Sequence, residues 1–117
     1  MNIEKTKAQM RKGVLELCIL SIISERDAYA SDIIDKLKES ELIVVEGTLY
    51  PLLTRLKNEG YLDYHWQESK SGPPRKYYQL TDIGSTFLNE LETGWTTLVS
   101  TVNEIISKQQ TEIEKRN

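Results

Sequence analysis

The segment from residue 46 to residue 80 constrains the fold of this chain more than any other. Its apolar residues recur at i, i+3, i+4 and i+7, the spacing of one helix face: Leu49, Leu52, Leu53 and Leu56. Gly60 then ends the predicted helix, since glycine tolerates the left-handed conformation of a C-terminal cap. Two aromatic-rich runs, 61–66 and 75–80, flank a polar loop and predict a two-stranded hairpin with a basic tip. A helix with a polar outer face followed by such a hairpin is the layout of a winged helix.

Two further helices are predicted upstream of this segment. The first covers residues 4–24, with Gly13 as an internal weak point. The second spans about residues 30–39, where the same apolar stripe returns at Ala30, Ile33, Ile34 and Leu37. Residues 40–45 link it to the outward-facing helix. This order is that of a helix-turn-helix, with a link longer than the tight turn of the simplest versions.

A last helix is predicted to begin at Thr81 and Asp82, an N-cap and a first-turn acid. Apolar residues then step by three and four, as in an a/d heptad seam: Leu88, Leu91, Trp95, Leu98, Val102 and Ile105. The seam predicts packing against a second copy of the chain, and packing back onto its own domain is the alternative. Polar residues at the later seam positions predict that the tail, residues 108–117, frays.

These elements define the predicted fold class and its division into domains. The fold is expected to be mainly α with a small β-hairpin, a winged helix-turn-helix plus a C-terminal dimerisation helix. Residues 1–80 would form the winged-helix domain. Residues 81–117 would form the dimerisation helix and its frayed tail.

Charge is unevenly distributed along the chain. The formal net charge of −3 by itself disfavours a polyanionic ligand. Cations nevertheless concentrate in the first helix, which includes Lys12, and in the predicted wing, whereas residues 25–46 are acidic. Localised basic surfaces on an acidic protein can still bind DNA, with an affinity that falls quickly as salt rises.

Outward-facing polar residues of the helix and the wing are the candidates for contacts with double-stranded DNA. Thr48 and Tyr50 carry hydroxyls that can meet a phosphate, although Tyr50 has the alternative of packing against the wing. Arg55 and Lys57 also face outward, and a solvated surface is their alternative interpretation. Arg75 and Lys76 alternate on a strand, so only one of them shares a side with Tyr77. The predicted DNA contacts are Lys12, Thr48, Tyr50, Arg55, Lys57, Lys70, Arg75, Lys76 and Tyr77.

The sequence offers little for catalysis or for a membrane. Cys18 and His65 are the single cysteine and histidine, and the sequence holds no Gly-rich phosphate loop, paired-carboxylate motif or metal-ligand cluster. We therefore predict a protein that is not an enzyme and takes no cofactor or metal. The apolar run 14–23 imitates a secretory signal, but Glu16 interrupts it and it is too short to span a bilayer. We expect a cytoplasmic protein with no membrane partner.

In this order and spacing, three groups of residues resemble the PadR-type transcriptional regulators, in particular their short subfamily with a single C-terminal helix. They are QMRKGVLE at 9–16, GTLYPLL at 47–53 with Leu56, Glu59 and Gly60, and RKYY at 75–78 with Leu80, Thr81 and Gly84. The likeness spans residues 9 to about 105. It implies a winged-helix homodimer that represses genes and releases DNA when a small molecule binds. A two-fold dimer predicts an inverted-repeat operator.

The resemblance also implies an effector site at the dimer centre. The chain is similar to relatives whose dimer forms a flat apolar pore for planar aromatic compounds, lined by a tryptophan that falls on Trp95 here. The other residues expected in this cavity are Met10, Leu17, Ser21 and Leu91. One turn after Trp95 stand Leu98 and Val99 rather than a carboxylate, and Glu92 lies one turn before it. A preference for cationic compounds is therefore not implied.

Two alternatives stay open from the sequence. Trp95 is interpreted equally well as a packing anchor of the dimer seam. The winged helix as a whole is also compatible with a protein–protein adaptor, because the fold does not guarantee DNA binding. An adaptor, however, would not need cations on the first helix, the outward-facing helix and the wing at once.

Overall fold

The computed structural model describes residues 2–116 of the chain. Within them the chain forms five α-helices and a two-stranded antiparallel sheet. In chain order the elements are α1 (Ile3–Lys12), α2 (Leu15–Glu25), α3 (Ala30–Glu39), α4 (Glu46–Asn58), β1 (Leu62–Ser69), β2 (Gly72–Leu80) and α5 (Asp82–Arg116). The predicted fold class, a mainly α winged helix-turn-helix with a small hairpin and a C-terminal helix, is confirmed.

The prediction of one continuous first helix over residues 4–24 is wrong. A turn at Gly13 and Val14 divides it into α1 and α2, and the Val14 N–H donates to the Arg11 carbonyl at 3.1 Å. The division follows the change from polar to apolar sequence. α2 buries an apolar face in the core, whereas none of the described residues of α1 is buried. Glycine lowers helix propensity, so the chain turns where these two environments meet.

One hydrophobic core joins α2, α3, α4, the hairpin and the start of α5. Its fully buried side chains are Ile19, Leu20, Ile33, Leu49, Leu53 and Leu56. The last three confirm the stripe predicted for α4, while Leu52 is half-buried. Burial of one leucine contributes about 1.5–3 kcal/mol, so this stripe holds the inner face of α4 firmly and determines which face meets solvent.

The end of α4 follows the predicted turn chemistry, whereas the strands of the hairpin are longer than predicted and take up most of the polar loop expected between residues 66 and 75. Gly60 has a φ of 88°, in the left-handed region, and the following Tyr61 N–H donates to the Leu56 carbonyl at 3.0 Å. The strands pair from Leu62 with Leu80 to Ser69 with Gly72. Ala28, in the α2–α3 loop, exchanges two backbone hydrogen bonds with Tyr78, of 3.1 and 2.8 Å, and so ties that loop to the wing.

α5 begins on the wing and then leaves the compact domain. The Thr81 hydroxyl donates to the Gly60 carbonyl at 2.6 Å and accepts the Gly84 N–H at 2.9 Å, as an N-cap does. Of the predicted seam residues, Leu88 is buried and Leu91 half-buried, while those further along are exposed or half-exposed. Among residues 2–116, no helix combines the length and apolarity needed to cross a membrane.

The prediction that the tail frays from residue 108 is wrong for its described part. α5 is 35 residues long and continues to Arg116; Asn117 lies outside the described residues. Lys108 is held by Glu104 one turn earlier at 2.9 Å. Such i, i+4 pairs and the good helix formers of this segment offset the lack of tertiary contacts.

Candidate functional site

The outer face of α4 is polar and open to solvent. Because its leucine stripe points inward, the residues between the leucines project outward, and Thr48, Tyr50 and Lys57 are exposed. The Tyr50 side chain is 47% exposed, so its ring is partly packed and partly free. The Thr48 N–H is already engaged by the Val45 carbonyl at 3.0 Å, which leaves its hydroxyl as the group that can meet a phosphate.

Arg55 differs from its neighbours because it has a partner. Its guanidinium forms an ion pair with the carboxylate of Glu16 on α2, and half of its side chain is exposed. The pair links α4 to α2. A guanidinium held by a carboxylate has fewer N–H donors left for a phosphate. This partner was not predicted, because nothing in the local spacing relates residues 16 and 55.

One face of the wing presents a lysine over two aromatic rings. The register places Tyr64, Trp66, Lys76 and Tyr78 on this face. The Lys76 ammonium lies 4.3 Å from the ring centre of Tyr64 and 5.4 Å from that of Trp66. Lys57 of α4 approaches the same Tyr64 ring at 5.7 Å. Cation–π attraction therefore gathers a wing cation and a helix cation around one ring. Burial, with a smaller effect of the neighbouring Tyr50 and Tyr64 hydroxyls, raises the pKa of Tyr78.

The opposite face of the wing carries Arg75 and Tyr77. The Arg75 guanidinium lies 4.5 Å from the ring centre of Tyr29, and the Tyr29 and Tyr77 rings are 5.1 Å apart. Arg75, and not Lys76, therefore shares a side with Tyr77. Tyr29 lies just before α3, and sequence analysis did not single it out. Its packing against the wing depends on the loop that Ala28 ties to β2.

The two remaining predicted DNA contacts lie at the periphery. Lys70 occupies the exposed tip of the wing, between the strands. Lys12 is exposed in the last turn of α1, where its charge also complements the helix dipole. Neither lysine is paired with an acid among the described residues.

A cleft of about 330 Å³ lies between the start of α3, the outer face of α4 and the wing. Tyr50 and Thr54 line it from α4, and Trp66, Arg75 and Lys76 line it from the wing. Among the described residues that line it, none is a carboxylate. Trp66 and Thr54 were not among the predicted contacts. Trp66 lies beside Lys76 because the two residues are paired across the hairpin, and that register is not evident from either strand alone.

A second, larger groove of about 790 Å³ lies between α2, α3 and α5. Three residues predicted for the effector cavity line it, namely Leu17, Ser21 and Trp95. The two others lie elsewhere in the single chain: Met10 is 72% exposed on α1, and Leu91 packs half-buried against the core. Trp95 is 45% exposed, so one side of its ring is uncovered.

The wall of this groove is acidic. The carboxylates that line it are Glu25, Asp32, Asp35, Glu39 and Glu92, against the cations Arg26 and Lys36. Of these acids only Glu92 is near Trp95 in the sequence, because the other four belong to α2 and α3. Cys18 also lines the groove, and burial raises the pKa of its thiol, so the sulfur stays protonated near neutral pH.

A family model and several solved structures assign the chain to one group. The model of the PadR-like family of transcriptional regulators matches residues 19–90. A protein of Lysinibacillus sphaericus, itself described as uncharacterised, is 29% identical over 103 residues, which are 86% of this chain and 91% of that protein.

Solved structures give the same result. A PadR-like transcription factor from Bacteroides fragilis is 63% identical, with 86% of this chain and 98% of that chain covered and a TM-score of 0.73. A PadR family regulator from Eggerthella lenta is 33% identical, with 89% and 91% covered and a TM-score of 0.83. A PadR-like regulator from Bacillus cereus is 41% identical, with 84% and 96% covered and a TM-score of 0.75.

Proposed function

The chain belongs to the PadR-like family of transcriptional regulators, which are not enzymes, and on that premise we propose that it is a homodimeric repressor that binds an inverted repeat in double-stranded DNA. The observation that carries the proposal is the separation of charge over the surface. Cations of α4 and the wing surround the exposed face of α4, while the acids of α2, α3 and α5 line the groove. DNA needs the first surface and would be repelled by the second.

The proposed DNA contacts are the predicted ones, with a single exception. They are Lys12, Thr48, Tyr50, Lys57, Lys70, Arg75, Lys76 and Tyr77. Arg55 is set aside because Glu16 already holds its guanidinium. In a winged helix the outward helix enters the major groove and the wing reaches the neighbouring backbone, which matches the exposed side of α4 and the basic hairpin.

Dimerisation through α5 is supported by its uncovered apolar seam. Trp95, Leu98, Val102 and Ile105 are 45%, 55%, 43% and 56% exposed. A continuous row of large apolar side chains at heptad spacing marks a helix–helix interface. Within one chain α5 packs on its own domain at Leu88 and Leu91, and Trp95 faces the groove with α2 and α3, so the uncovered seam begins at Trp95. A two-fold dimer would present its two α4 helices about 34–36 Å apart, or a multiple of that, along one face of DNA.

A planar aromatic effector at Trp95 is the second element of the proposal. The Trp95 ring faces the groove with one side uncovered, and a dimer would bring two such rings together across the two-fold axis. Stacking on each ring contributes about 0.5–1.5 kcal/mol beyond the area that it buries. The five carboxylates in the groove wall favour a cationic aromatic compound over an anionic one. An effector that changes the spacing of the two winged helices would weaken DNA binding. The size of the effect is limited by the ratio of the effector's affinities for the DNA-binding spacing and for the changed spacing.

DNA binding is tested by measuring affinity for an operator duplex and for a random duplex at about 50 and about 200 mM salt. We expect both affinities to fall with salt and the operator to be preferred. Lys70→Ala should lower the salt slope by about two per dimer, since each phosphate that is no longer neutralised removes about 0.9. Lys108→Ala, the same charge change on the far part of α5, is the matched control and should leave the slope unchanged. If the chain binds neither duplex at low salt, the repressor proposal is refuted and the adaptor is the remaining alternative.

The effector site is tested separately from DNA. In a Trp66→Phe background Trp95 is the sole tryptophan, and its emission reports a titration with a cationic planar dye and with an anionic one. We expect saturable quenching of Trp95 by the cationic dye. The Trp95→Ala variant has no tryptophan in this background, so the fluorescence of the dye itself should show that binding is lost while sedimentation still shows a dimer. If the Trp95→Ala dimer binds the dye equally well, the ring is only a packing anchor.

A further inference from the structure

We propose that the cleft between the wing and α4 is a seat for one phosphodiester of the DNA backbone, with Trp66 as its apolar wall and Lys76 as the cation on the same face of the wing. Arg75 is the second cation and lines the cleft from the opposite face, beside Tyr29. The inference rests on the proposed DNA binding and deepens it. It assigns Trp66 a role in DNA binding. It also places the main DNA contact of the wing at this cleft rather than at the wing tip.

The charges of the cleft suit an anion. Two cations line it, and its described lining includes no carboxylate, in a chain whose net charge is −3. Both cations are held in place by aromatic rings: Lys76 lies 4.3 Å from the Tyr64 ring centre, and Arg75 lies 4.5 Å from that of Tyr29. A cation over a ring face is not neutralised by an acid, and the N–H groups that do not point at the ring can still donate to a phosphate oxygen.

The walls of the cleft fit a DNA phosphate with its attached sugar better than a free inorganic anion. The cleft volume of about 330 Å³ leaves room for more than one small anion. The hydroxyls of Tyr50 and Thr54 line one side, and Trp66 lines the other with 62% of its side chain exposed. Hydroxyls suit phosphate oxygens, and the exposed indole offers an apolar surface to the sugar that follows.

The position of the cleft ties it to DNA rather than to a separate ligand. Tyr50 and Thr54 belong to the same outer face of α4 that is proposed to enter the major groove. The strand of DNA beside that groove would run from the helix toward the wing and cross this cleft. The wing tip with Lys70 lies beyond it, at the far end of the hairpin.

The first test uses Trp66 as its own reporter in the full-length Trp95→Phe protein, where it is the sole tryptophan. Addition of a non-fluorescent operator duplex should quench or shift its emission until the protein is saturated. An equal series with inorganic phosphate should change the emission little at the same ionic strength. Emission that responds to inorganic phosphate and not to DNA would assign the cleft to a free anion and overturn the proposal.

The second test compares the DNA affinities of Trp66→Ala and Trp66→Phe with that of the parent protein. We expect Trp66→Ala to bind both operator and random DNA about fivefold or more weakly, because both clefts of the dimer are then without the indole that holds Lys76 and forms the apolar wall. Trp66→Phe keeps an aromatic wall and should recover most of that affinity. Because Trp66 is 62% exposed, these changes leave the core intact, which unfolding midpoints verify.

The outcomes separate this proposal from the function on which it rests. If the parent protein binds its operator but Trp66→Ala binds as tightly and Trp66 emission ignores DNA, the seat is wrong while the repressor function stands. If the parent protein binds no DNA at all, the repressor function fails and the seat fails with it.

Discussion

Replacing Gly84 by alanine tests the joint between α5 and the wing. Gly84 is buried in the first turn of α5. A Cβ at this position would overlap the Tyr61 carbonyl oxygen and lie 2.9 Å from the carbonyl carbon and 3.0 Å from Leu80 Cδ1. The carbonyl is not free to turn aside, because it accepts the Thr81 N–H at 3.2 Å. The backbone of α5 must therefore move away from the wing.

The magnitude follows from two opposing effects. Alanine favours a helix over glycine by about 1 kcal/mol. Overpacking against an atom that cannot move costs about 3 kcal/mol, near the upper end of the usual range. The two Thr81 hydroxyl hydrogen bonds, to Gly60 and from Gly84, would be stretched as well, at up to about 1 kcal/mol each. We expect Gly84→Ala to lower the free energy of unfolding by about 2–4 kcal/mol.

Thermal unfolding followed by circular dichroism measures this change, with all variants at one protomer concentration. An unfolding entropy of about 2.1 cal/mol/K per residue means that 1 kcal/mol corresponds to about 4 °C for a chain of 117 residues, so the midpoint should fall by about 8–16 °C. Gly94→Ala is the matched control in the same helix, because its Cβ would meet no atom within 4 Å. It should stabilise the protein by about 0.5–1 kcal/mol. Equal stabilisation by both substitutions would refute the reasoning.

Three further predictions concern the seam, the α2–α4 ion pair and the outer face of α4. Leu98→Glu should bury an unpaired carboxylate in the dimer interface and therefore sediment as a monomer. Thr97→Glu, one position off the seam, is the control and should remain dimeric. A dimeric Leu98→Glu variant would contradict the assignment of the seam. Glu16→Gln should release Arg55 to reach a phosphate, so DNA affinity and the salt slope should both rise. Stability should fall by about 1 kcal/mol, because half of the Arg55 side chain is exposed although Glu16 is only 28% exposed. Unchanged binding would mean that the guanidinium does not reach DNA. Tyr50→Phe should weaken DNA binding about three- to tenfold for each hydroxyl that no longer bonds a phosphate, as measured by fluorescence anisotropy, with its unfolding midpoint unchanged.

Local patterns in the sequence were sufficient to determine most of the fold. The leucine stripe of α4, its end at Gly60, the hairpin and the bounds of α3 were all predicted, because each depends on residues within one or two turns. Helix periodicity and glycine caps act over that range. The candidate residues on the outer face of α4 follow from the same argument, since a buried stripe leaves its other side exposed.

The tertiary structure alone decided which of these residues meet. The break between α1 and α2 depends on where the core begins. The continuation of α5 past residue 108 is supported by a side-chain ion pair, which a search for apolar periodicity does not detect. The Glu16–Arg55 pair, Tyr29 over Arg75 and the acids around Trp95 join segments far apart in the chain. Spacing within one helix or strand carries no information about such contacts, because they arise only when separate elements pack on a shared core.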